Sequence, residues 1–543
     1  QTETMADVSR TKSTEPSDKN TCALHTDMYQ ITMTYAYWKN QMHNKPAVFD
    51  LFFRKAPFDG EYTLFAGLSE VLQFVSTYRF KAEHLEYLRD AMPGCDPEFF
   101  TWLASVNCAN VKIYALPEGS VCFPRVPLLR VEGPLGICQL LETTLLNLIN
   151  FPTLIATNAI RMRIAAGETK TLLEFGLRRA QGPNGALSAS RYAFLGGFDG
   201  TSNLLAGLQF GIPAKGTHAH SFVQSFTGLS DLRVHTIVKA DGEEVNFVTI
   251  VNECRDTLRC GGHEGELAAF VAYAQAFPSQ FVALVDTYDT LDSGVPNFMC
   301  VAWALIKVGY TPAGCRLDSG DLAYLSKQTR ATFEKTSTDF NIPELATVKI
   351  VASNDINEDT LYSLASQGHC IDTFGIGTHL VTCQNQPALG AVYKLVELDN
   401  EPRIKISNAA TKVTIPCRKD VYRLYSKDGV ALIDVLVRVG DTPPMPHMRF
   451  LCRHPFDPTK RASVTPTTVS SLLQLFWDGT PVSLEHHKCL EAARQQASDQ
   501  LATIREDVKR KLNPTPYKVA VTGQLYDKLH ALWMQEAPVA ELS

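Results

Sequence analysis

The sequence predicts an α/β protein whose central part is an irregular (β/α)8-type barrel. Between about residues 165 and 390, short apolar runs end abruptly in Asp, Gly, Ser or Thr, and helical patterns follow them. Asp286, Asp318, Asn354 and Gly377 follow four such runs at separations of 32, 36 and 23 residues, about the length of a βα unit. Alternating strands and helices predict a parallel sheet, and so many units in about 220 residues favour a barrel over an open doubly wound sheet.

Before the barrel, the chain mixes helical and strand patterns. "TDMYQITMTYAYWK" has apolar residues at helical spacing, and "PAVFDLFFRKAP" and "VKIYALPEGSVCF" read as strands bounded by Pro and Gly. The uncharged stretch 143–160 contains Asn, Thr and Pro residues, which are costly in lipid, so it predicts a buried helix pair broken near Pro152. This region is an α+β domain.

After the barrel, the patterns return to strands. "YKLVELDNEPRIKISN" and "KDVYRLYSKDGVALIDVLV" alternate in hydropathy, and "KDG" predicts a turn between two strands of the second stretch. Residues 484–512 have a helical pattern. "KTLLEFGLRRA" and "GIPAKGTHAHS" are candidates for two earlier barrel strands.

These patterns divide the chain into five expected segments. The polar N-terminus is expected to be disordered, with Met5 as the natural start. The segments are a tail at 1–20, an N-terminal α+β domain at 21–160, the catalytic barrel at 161–390, a β segment packing with the N-terminal domain at 391–440, and a C-terminal accessory region at 441–543.

Composition is that of a globular protein, with 45% apolar and 20% charged residues. The net charge of −6, without long single-sign runs, lacks the clustered basic face of nucleic-acid binders. The 14 cysteines form no Cys-x-x-Cys pair, which indicates reduced thiols in the cytosol rather than a disulfide framework or a zinc site. We expect neither a nucleic acid nor a membrane as partner.

The ends of the predicted barrel strands carry polar residues that would meet at one mouth. Carboxylates there suit Mg²⁺, and a glycine-rich turn after a late strand offers backbone N–H groups to a phosphate. The alternatives are that the glycines only permit a tight turn and that Asp318 or Ser319 caps the next helix. The residues concerned are Asp286, Asp289, Arg316, Asp318, Asp321, Ser353, Asn354, Gly375, Gly377 and Thr378.

The stretch "GTHAHS" places two histidines, His218 and His220, two positions apart. On a strand they would share a face, and such a pair can hold a transition metal if neighbouring strands supply further ligands; only His379 lies near. A hydrogen-bonded histidine without chemistry is the alternative for His218. A neutral His220 could instead attack the γ-phosphoryl group of ATP, with Asp286 orienting its ring.

Two aromatic residues are candidates for ring stacking. Phe175 lies close in sequence to Arg178 and Arg179, and Tyr29 lies near the start of the chain. Each is by default a packing residue, but together they could stack on a flat aromatic ring while an arginine binds its carboxylate.

Nine motifs together resemble the nicotinate phosphoribosyltransferase family and occur in its order. The similarity extends from about Thr21 to Tyr425, and the last hundred residues are only loosely similar. The motifs are "TDMYQITM", "FDLFFRKAPF", "LLETTLLNLINFPTLIATNA", "LLEFGLRRAQGPNGA", "LGGFDGTSN", "GTHAHSF", "RLDSGDL", "SNDI" and "FGIGTHLVT".

The resemblance implies a reaction of nicotinate with 5-phosphoribosyl 1-diphosphate to nicotinate mononucleotide, coupled to ATP hydrolysis in NAD salvage. It implies Mg²⁺ or Mn²⁺, a homodimer with shared sites, and phosphorylation of His220. Tyr29 of the neighbouring subunit and Phe175 would stack on nicotinate, and Asp318 is a candidate metal ligand. The implied catalytic residues are His220, Asp286 and Asp318; the nicotinate-binding ones are Tyr29, Phe175, Thr217, Arg316 and Ser202; the phosphoribosyl-diphosphate-binding ones are Arg178, Asn354, Gly375, Gly377 and Thr378.

Three positions inform the choice among relatives. His218 and Cys417 depart from the family pattern, and Cys417 would be strained in a turn that needs positive φ. Ser202 stands where nicotinamide phosphoribosyltransferases carry an aspartate, and a hydroxyl can donate to a carboxylate that an aspartate would repel. The alternatives are that cousin, a catalytically silent phosphosugar-binding relative, and a metal-dependent hydrolase.

Overall fold

The structure is a computed structural model that describes residues 21–407, 412–482 and 489–537. The expected tail at 1–20 and the start of the predicted helical stretch 484–512 lie outside these residues. The chain divides into two compact units, 1–158 with 385–543, and 159–384. Within the described ranges, none of the helices combines the length and apolar character needed to cross a bilayer.

The N-terminal part alternates between helices and strands. The helix predicted in "TDMYQITMTYAYWK" is present. The strands predicted in "PAVFDLFFRKAP" and "VKIYALPEGSVCF" are present as well. The elements are α1 Met28–Lys39, β1 Pro46–Phe52, β2 Thr63–Leu64, α2 Leu68–Ser76, α3 Ala82–Ala91, α4 Pro97–Ser105, β3 Lys112–Ala115, β4 Val121–Cys122, β5 Leu129–Pro134, α5 Leu135–Leu140 and α6 Glu142–Ala166.

The predicted break at Pro152 is wrong, because α6 continues through the proline. Proline removes the hydrogen bond to the Leu148 carbonyl one turn earlier, and that carbonyl lies close to Gly67, where a Cβ would approach it to 2.1 Å. Thr153 Oγ1 donates to the Ala66 carbonyl at 3.1 Å and accepts from the Ala66 amide at 3.2 Å. These tertiary contacts hold the helix where local propensity predicts a break.

The middle unit repeats strand and helix. The predicted strand ends are confirmed, and the "KTLLEFG" strand is present. The elements are β6 Thr171–Glu174, α7 Gly182–Leu195, β7 Gly200–Thr201, α8 Leu204–Phe210, α9 His220–Gln224, β8 Thr236–Val238, β9 Glu244–Asn246, α10 Phe247–Leu258, α11 Glu264–Ala276, β10 Val282–Leu284, α12 Val295–Lys307, β11 Gly314–Leu317, α13 Leu322–Phe340, α14 Pro343–Ala346, β12 Lys349–Ser353, α15 Glu358–Gln367, β13 Thr373–Ile376 and α16 Thr378–Val381.

Six strands of this unit form one parallel sheet in the order β10-β11-β12-β13-β6-β7. The last strand, β13, pairs with the first, β6, as the closure of a barrel requires. β13 is buried along its whole length. Within the described residues, the sheet continues past β7 as a single parallel bridge from Thr201 to Ala214. The predicted irregular α/β barrel is confirmed, with its irregularity at this edge.

The remaining elements belong to the first unit. They are β14 Val392–Leu398, β15 Glu401–Pro402, β16 Lys419–Tyr425, β17 Ala431–Arg438, β18 Phe450–Arg453, β19 Arg461–Val464, β20 Thr468–Ser471, β21 Gln474–Asp478, α17 Leu490–Thr503, α18 Glu506–Lys509, β22 Val519–Val521 and α19 Gly523–Glu536. The predicted hairpin around "KDG" is confirmed, because β16 and β17 pair antiparallel.

Two six-stranded sheets organise this unit. One has the order β15-β14-β1-β5-β3-β21, so that β14 from the post-barrel segment pairs antiparallel with β1. The other has the order β19-β18-β22-β17-β16-β20, and its core contains Leu424, Val435 and Cys452. Cys417, which precedes β16, has φ +74 and is buried, so the expected positive φ at a non-glycine residue is present.

Candidate active site

The carboxyl ends of the parallel strands carry the polar residues that the sequence predicts there. Asp318, Asn354 and Gly377 directly follow β11, β12 and β13, and Asp286 is the second residue after β10. Adjacent parallel strands end at the same edge of the sheet, so these residues occupy one edge. This edge is the candidate active site.

Arg316, on β11, connects several of the candidate residues. Its Nη1 donates to Thr217 Oγ1 at 3.2 Å, and its Nη2 donates to Asp318 Oδ1 at 3.1 Å. Its Nε donates to Ser353 Oγ at 2.8 Å. The guanidinium carbon is 5.5 Å from the centroid of the Phe175 ring, within cation–π range. Two of the five N–H groups of the guanidinium remain for a bound anion.

His220 is the first residue of α9 and its side chain is 41% exposed. Its Nδ1 lies 3.1 Å from Thr287 Oγ1, and its Nε2 lies 3.8 Å from Asp318 Oδ2. The expected partner Asp286 instead accepts a hydrogen bond from Ser319 Oγ. Thr287 is not among the residues that the sequence predicts for the site, although a hydroxyl residue directly after Asp286 at a strand end is a signal for it.

His218 has a different environment from His220. The ring is buried, packs edge-on against Tyr273 with centroids 4.8 Å apart, and accepts a hydrogen bond at Nε2 from the Leu284 amide at 3.3 Å. Burial lowers the pKa of His218 to about 4, outweighing the raising effect of a backbone hydrogen bond at Ala219. The segment is not a strand, so the two rings do not share a face as the metal interpretation required.

Among the described residues, no group of three or more His, Cys, Asp or Glu side chains is placed to hold a metal ion by itself. Asp286 Oδ1 is buried and has no hydrogen-bond partner within the described chain, so this oxygen is available to a ligand at this edge. Asp321 caps α13, because its Oδ1 accepts a hydrogen bond from the Tyr324 amide at 3.0 Å. The cap is therefore neither Asp318 nor Ser319.

Gly375, on β13, leaves room for the ring of Phe175. A Cβ on Gly375 would lie 2.4 Å from two ring carbons of Phe175, far closer than real Cβ contacts. The Phe175 amide donates to the Ile376 carbonyl at 2.8 Å. Gly377 has φ −114 and ψ −100, so it does not lie in the positive-φ region, and it precedes α16, whose first residue is Thr378. Close approach, and not positive φ, explains Gly375.

The other predicted residues lie at strand ends or in the other unit. Ser202 follows β7, and its amide donates to the Glu174 carbonyl at 2.9 Å. Arg178 lies on an exposed 3₁₀ turn after β6, and Asn354 is exposed. Tyr29 belongs to the other unit, on the first turn of α1, and is 48% exposed. The pKa of Tyr29 is raised, mainly because the side chain is partly buried. The nearby charges of Glu142 and Asp27 raise it further.

Three family models match the chain. The "Nicotinate phosphoribosyltransferase (NAPRTase) family" matches residues 171–426. The N-terminal domain model of the same family matches residues 24–150, and the C-terminal domain model matches residues 418–529.

Relatives from plants, amoebae and animals are similar over nearly the whole chain. Nicotinate phosphoribosyltransferase 1 of Arabidopsis thaliana is 49% identical, covering 97% of this chain and 96% of its own length. The nicotinate phosphoribosyltransferase of Dictyostelium discoideum is 51% identical, covering 96% of this chain and 89% of its own. The crystal structure of human nicotinic acid phosphoribosyltransferase matches with a TM-score of 0.83 and 39% identity, over 94% of this chain and 100% of that one.

Proposed function

The chain belongs to the nicotinate phosphoribosyltransferase family, and we propose that its barrel edge couples the family reaction to ATP hydrolysis through phosphorylation of His220. The chain is an enzyme that joins nicotinate to 5-phosphoribosyl 1-diphosphate, and it forms nicotinate mononucleotide in NAD salvage. The observation that carries the proposal is the pair of contacts of His220, with Thr287 on one ring nitrogen and Asp318 facing the other.

The nicotinate ring is proposed to stack on Phe175, which Gly375 and Arg316 enclose. The two uncommitted N–H groups of Arg316 would bind its carboxylate, and the Ser202 hydroxyl would donate to it. The Thr217 hydroxyl would donate to it after turning away from the His218 carbonyl, to which it donates at 3.3 Å. Ser202 favours the acid over the amide, because the aspartate of the nicotinamide-specific cousins would repel a carboxylate.

The phosphoribosyl diphosphate is proposed to lie along the ends of β12 and β13. Backbone N–H groups at Gly377 and Thr378, with the side chains of Arg178 and Asn354, would hold its phosphates. Its C1–diphosphate bond breaks as the pyridine nitrogen forms a bond to C1, so positive charge develops on the ribose. The Asp318 carboxylate can stabilise that charge.

A divalent cation, Mg²⁺ or Mn²⁺, fits the oxygen donors of this edge. Two carboxylates would hold it together with substrate phosphates. They are Asp318, the candidate metal ligand from the sequence, and Asp286, whose Oδ1 has no hydrogen-bond partner in the described chain. When bound, the cation supplies charge neutralisation for the leaving diphosphate.

His220 is proposed to accept the γ-phosphoryl group of ATP. If Nδ1–H donates to Thr287 Oγ1, the lone pair is on Nε2, the ring nitrogen on the side of Asp318, and it can attack phosphorus there. A P–N bond forms, the bond from phosphorus to the bridging oxygen breaks, and ADP leaves; water later hydrolyses the phosphohistidine. Thr287 therefore holds the tautomer that the attack requires.

The test is a product assay with nicotinate, nicotinamide and quinolinate in parallel, with and without ATP. We expect mononucleotide from nicotinate alone, with ATP accelerating its formation. His220→Ala should abolish the ATP effect and the acid-labile phosphorylation, and Thr287→Val should reduce the ATP effect by roughly tenfold while Thr287→Ser retains it. Full ATP stimulation in His220→Ala would disprove the role of His220.

The quaternary structure and compartment are proposals as well. A homodimer would bring Tyr29 of the neighbouring subunit to the nicotinate ring opposite Phe175, so that each site needs both copies. Unpaired cysteines and the absence of Cys-x-x-Cys pairs support a reducing compartment, the cytosol.

A further inference from the structure

Glu174, the last residue of β6, is a buried carboxylate among neutral hydrogen-bond donors. Its side chain is 1% exposed. Its Oε1 accepts from the Gly176 amide, and its Oε2 accepts from Ser190 Oγ at 2.8 Å and Thr201 Oγ1 at 2.5 Å. Each partner recorded for it in the described chain is neutral. Burial of an anion without a cation is costly, so the carboxylate depends on these three hydrogen bonds, and each of them constrains the group that donates it.

The partners of Glu174 connect it to the turn that carries Ser202. Thr201 Oγ1 accepts from the Asn203 amide at 3.0 Å, and Ser190 Oγ accepts from Asn203 Nδ2 at 3.1 Å. The Glu174 carbonyl accepts from the Ser202 amide at 2.9 Å. The backbone on both sides of Ser202 is therefore held by Glu174 or by groups bonded to it.

The same carboxylate also fixes the backbone beside Phe175. Gly176, whose amide Glu174 binds, directly follows Phe175, and a Cβ on Gly176 would lie 2.2 Å from Val381. The ring of Phe175 lies against Gly375 with no spare room. Any shift of the turn at Gly176 would displace the ring.

We propose that Glu174 is a positioning residue that holds Phe175 and Ser202 at the separation that nicotinate requires. The proposal rests on the nicotinate position of the proposed function. Glu174 lies too deep to touch the substrate, and it acts through the two turns that follow β6 and β7.

Only a carboxylate meets the requirement of this position. A carboxylate is purely an acceptor, whereas a glutamine amide turns an NH₂ group toward at least one of the three donors. Thr201 Oγ1 already accepts from the Asn203 amide, and Glu174 is the acceptor for its hydroxyl hydrogen, whereas the Ser190 hydroxyl can also donate to the Ala186 carbonyl at 3.0 Å. A neutral isostere must therefore leave a buried donor unsatisfied or move a turn.

Glu174→Gln should raise the KM for nicotinate about 10- to 30-fold, with kcat and the KM for phosphoribosyl diphosphate changed less than about threefold. The ratio of kcat/KM for nicotinate over nicotinamide should fall about tenfold, because the Ser202 hydroxyl loses its position. Steady-state kinetics with both bases measures these changes. A loss of stability alone would not change the ratio.

Two sets of variants separate positioning from folding. Asp199 ties the same two strands at their opposite end, where its Oδ2 accepts from the Leu172 amide at 2.9 Å, so Asp199→Asn should lower the melting temperature without changing the KM for nicotinate. Thr201→Val removes one donor to Glu174 and should reproduce the KM effect, whereas Thr201→Ser keeps it and should behave as the wild type. If Glu174→Gln does not fold, the Thr201 pair decides.

The outcomes also separate this proposal from the placement of nicotinate. If Phe175→Leu leaves the KM for nicotinate unchanged, nicotinate does not bind at Phe175 and the proposed placement fails. If Phe175→Leu raises that KM but Thr201→Val and any folded Glu174→Gln do not, the positioning role is overturned. Equal losses of kcat for both bases, without a change in their ratio, would also overturn it.

Discussion

At the scale of the residue, two histidines separated by one alanine have opposite environments. His220 is half-exposed at the start of a helix, with a hydroxyl at Nδ1 and a carboxylate facing Nε2. His218 is buried among aromatic rings and bonded to the Leu284 amide. His218 is therefore neutral at physiological pH and contributes to packing, and His220 is the one of the two that we propose as the acceptor of the phosphoryl group.

The lowered pKa of His218, about 4, predicts a loss of stability in acid. The unfolded histidine titrates near 6.5, so below this pH the unfolded state takes up the proton first, and the loss is complete below pH 4, at about 3 kcal/mol. His218→Gln keeps an acceptor for Leu284 but does not titrate, so its free energy of unfolding should depend less on pH between 7 and 4.

Denaturant unfolding at pH 7, 6, 5 and 4 measures this difference. Replacement of the exposed His235 by glutamine is the matched control and should keep the pH dependence of the wild type. Equal slopes for His218→Gln and the wild type would show that His218 is not buried in its neutral form.

At the scale of the element, short parallel strands position the site by packing their ends against one another. Phe175, at the end of β6, lies against Gly375 on β13, and Arg316 on β11 reaches both Phe175 and Ser353 on β12. Residues at four strands thus depend on one sheet register. A substitution in one strand should therefore displace side chains of the neighbouring strand.

Gly375→Ala should displace the Phe175 ring, because the new Cβ would lie 2.4 Å from two ring carbons. We expect the KM for nicotinate to rise about tenfold and the stability to fall by about 1–3 kcal/mol. Steady-state kinetics and denaturant unfolding measure the two effects.

A double variant and a control assign the cause. Adding Phe175→Leu to Gly375→Ala should recover stability but not nicotinate binding, because the smaller side chain makes room without restoring the ring. Gly261→Ala, where a Cβ meets open space, should leave both quantities unchanged. A wild-type KM in Gly375→Ala would show that the ring position does not matter for binding.

At the scale of the whole molecule, the chain consists of a barrel unit and a unit built from both chain ends. The unit that contains residues from both chain ends has its own core, including a buried pair in which Arg423 Nε donates to Asp434 Oδ1 at 2.8 Å. Tyr29 belongs to that unit, and His220 belongs to the barrel. The proposed dimer predicts that a complete site combines these residues from two copies.

Mixing two inactive variants tests the shared site. Tyr29→Ala and His220→Ala should each lose most of their ATP-stimulated activity. If subunits exchange at random, half of the dimers are mixed and each has one intact site, so about a quarter of the wild-type activity should return. Activity measured after co-refolding, with mass photometry to count subunits, is the experiment. No recovery in mixed dimers would mean that each site lies within one chain.

Several features of the fold and site followed from the sequence alone. The alternation of apolar runs and polar ends predicted the strands β10 to β13 and the placement of Asp318, Asn354 and Gly377, because burial of parallel strands requires continuous apolar residues. The order of the motifs identified the family. Both signals depend on the order of residues along the chain, so they can be read without a structure.

Other features depended on contacts between residues far apart in sequence. Local patterns predicted a break at Pro152, but Gly67 and Ala66 accommodate the helix. They assigned Asp286 to His220, but Thr287 occupies that position. The role of Glu174 rests on Ser190 and Thr201, 16 and 27 residues away. Hydrogen bonding and close packing depend on three-dimensional position, which spacing along the chain does not encode, so only the tertiary structure decided these features.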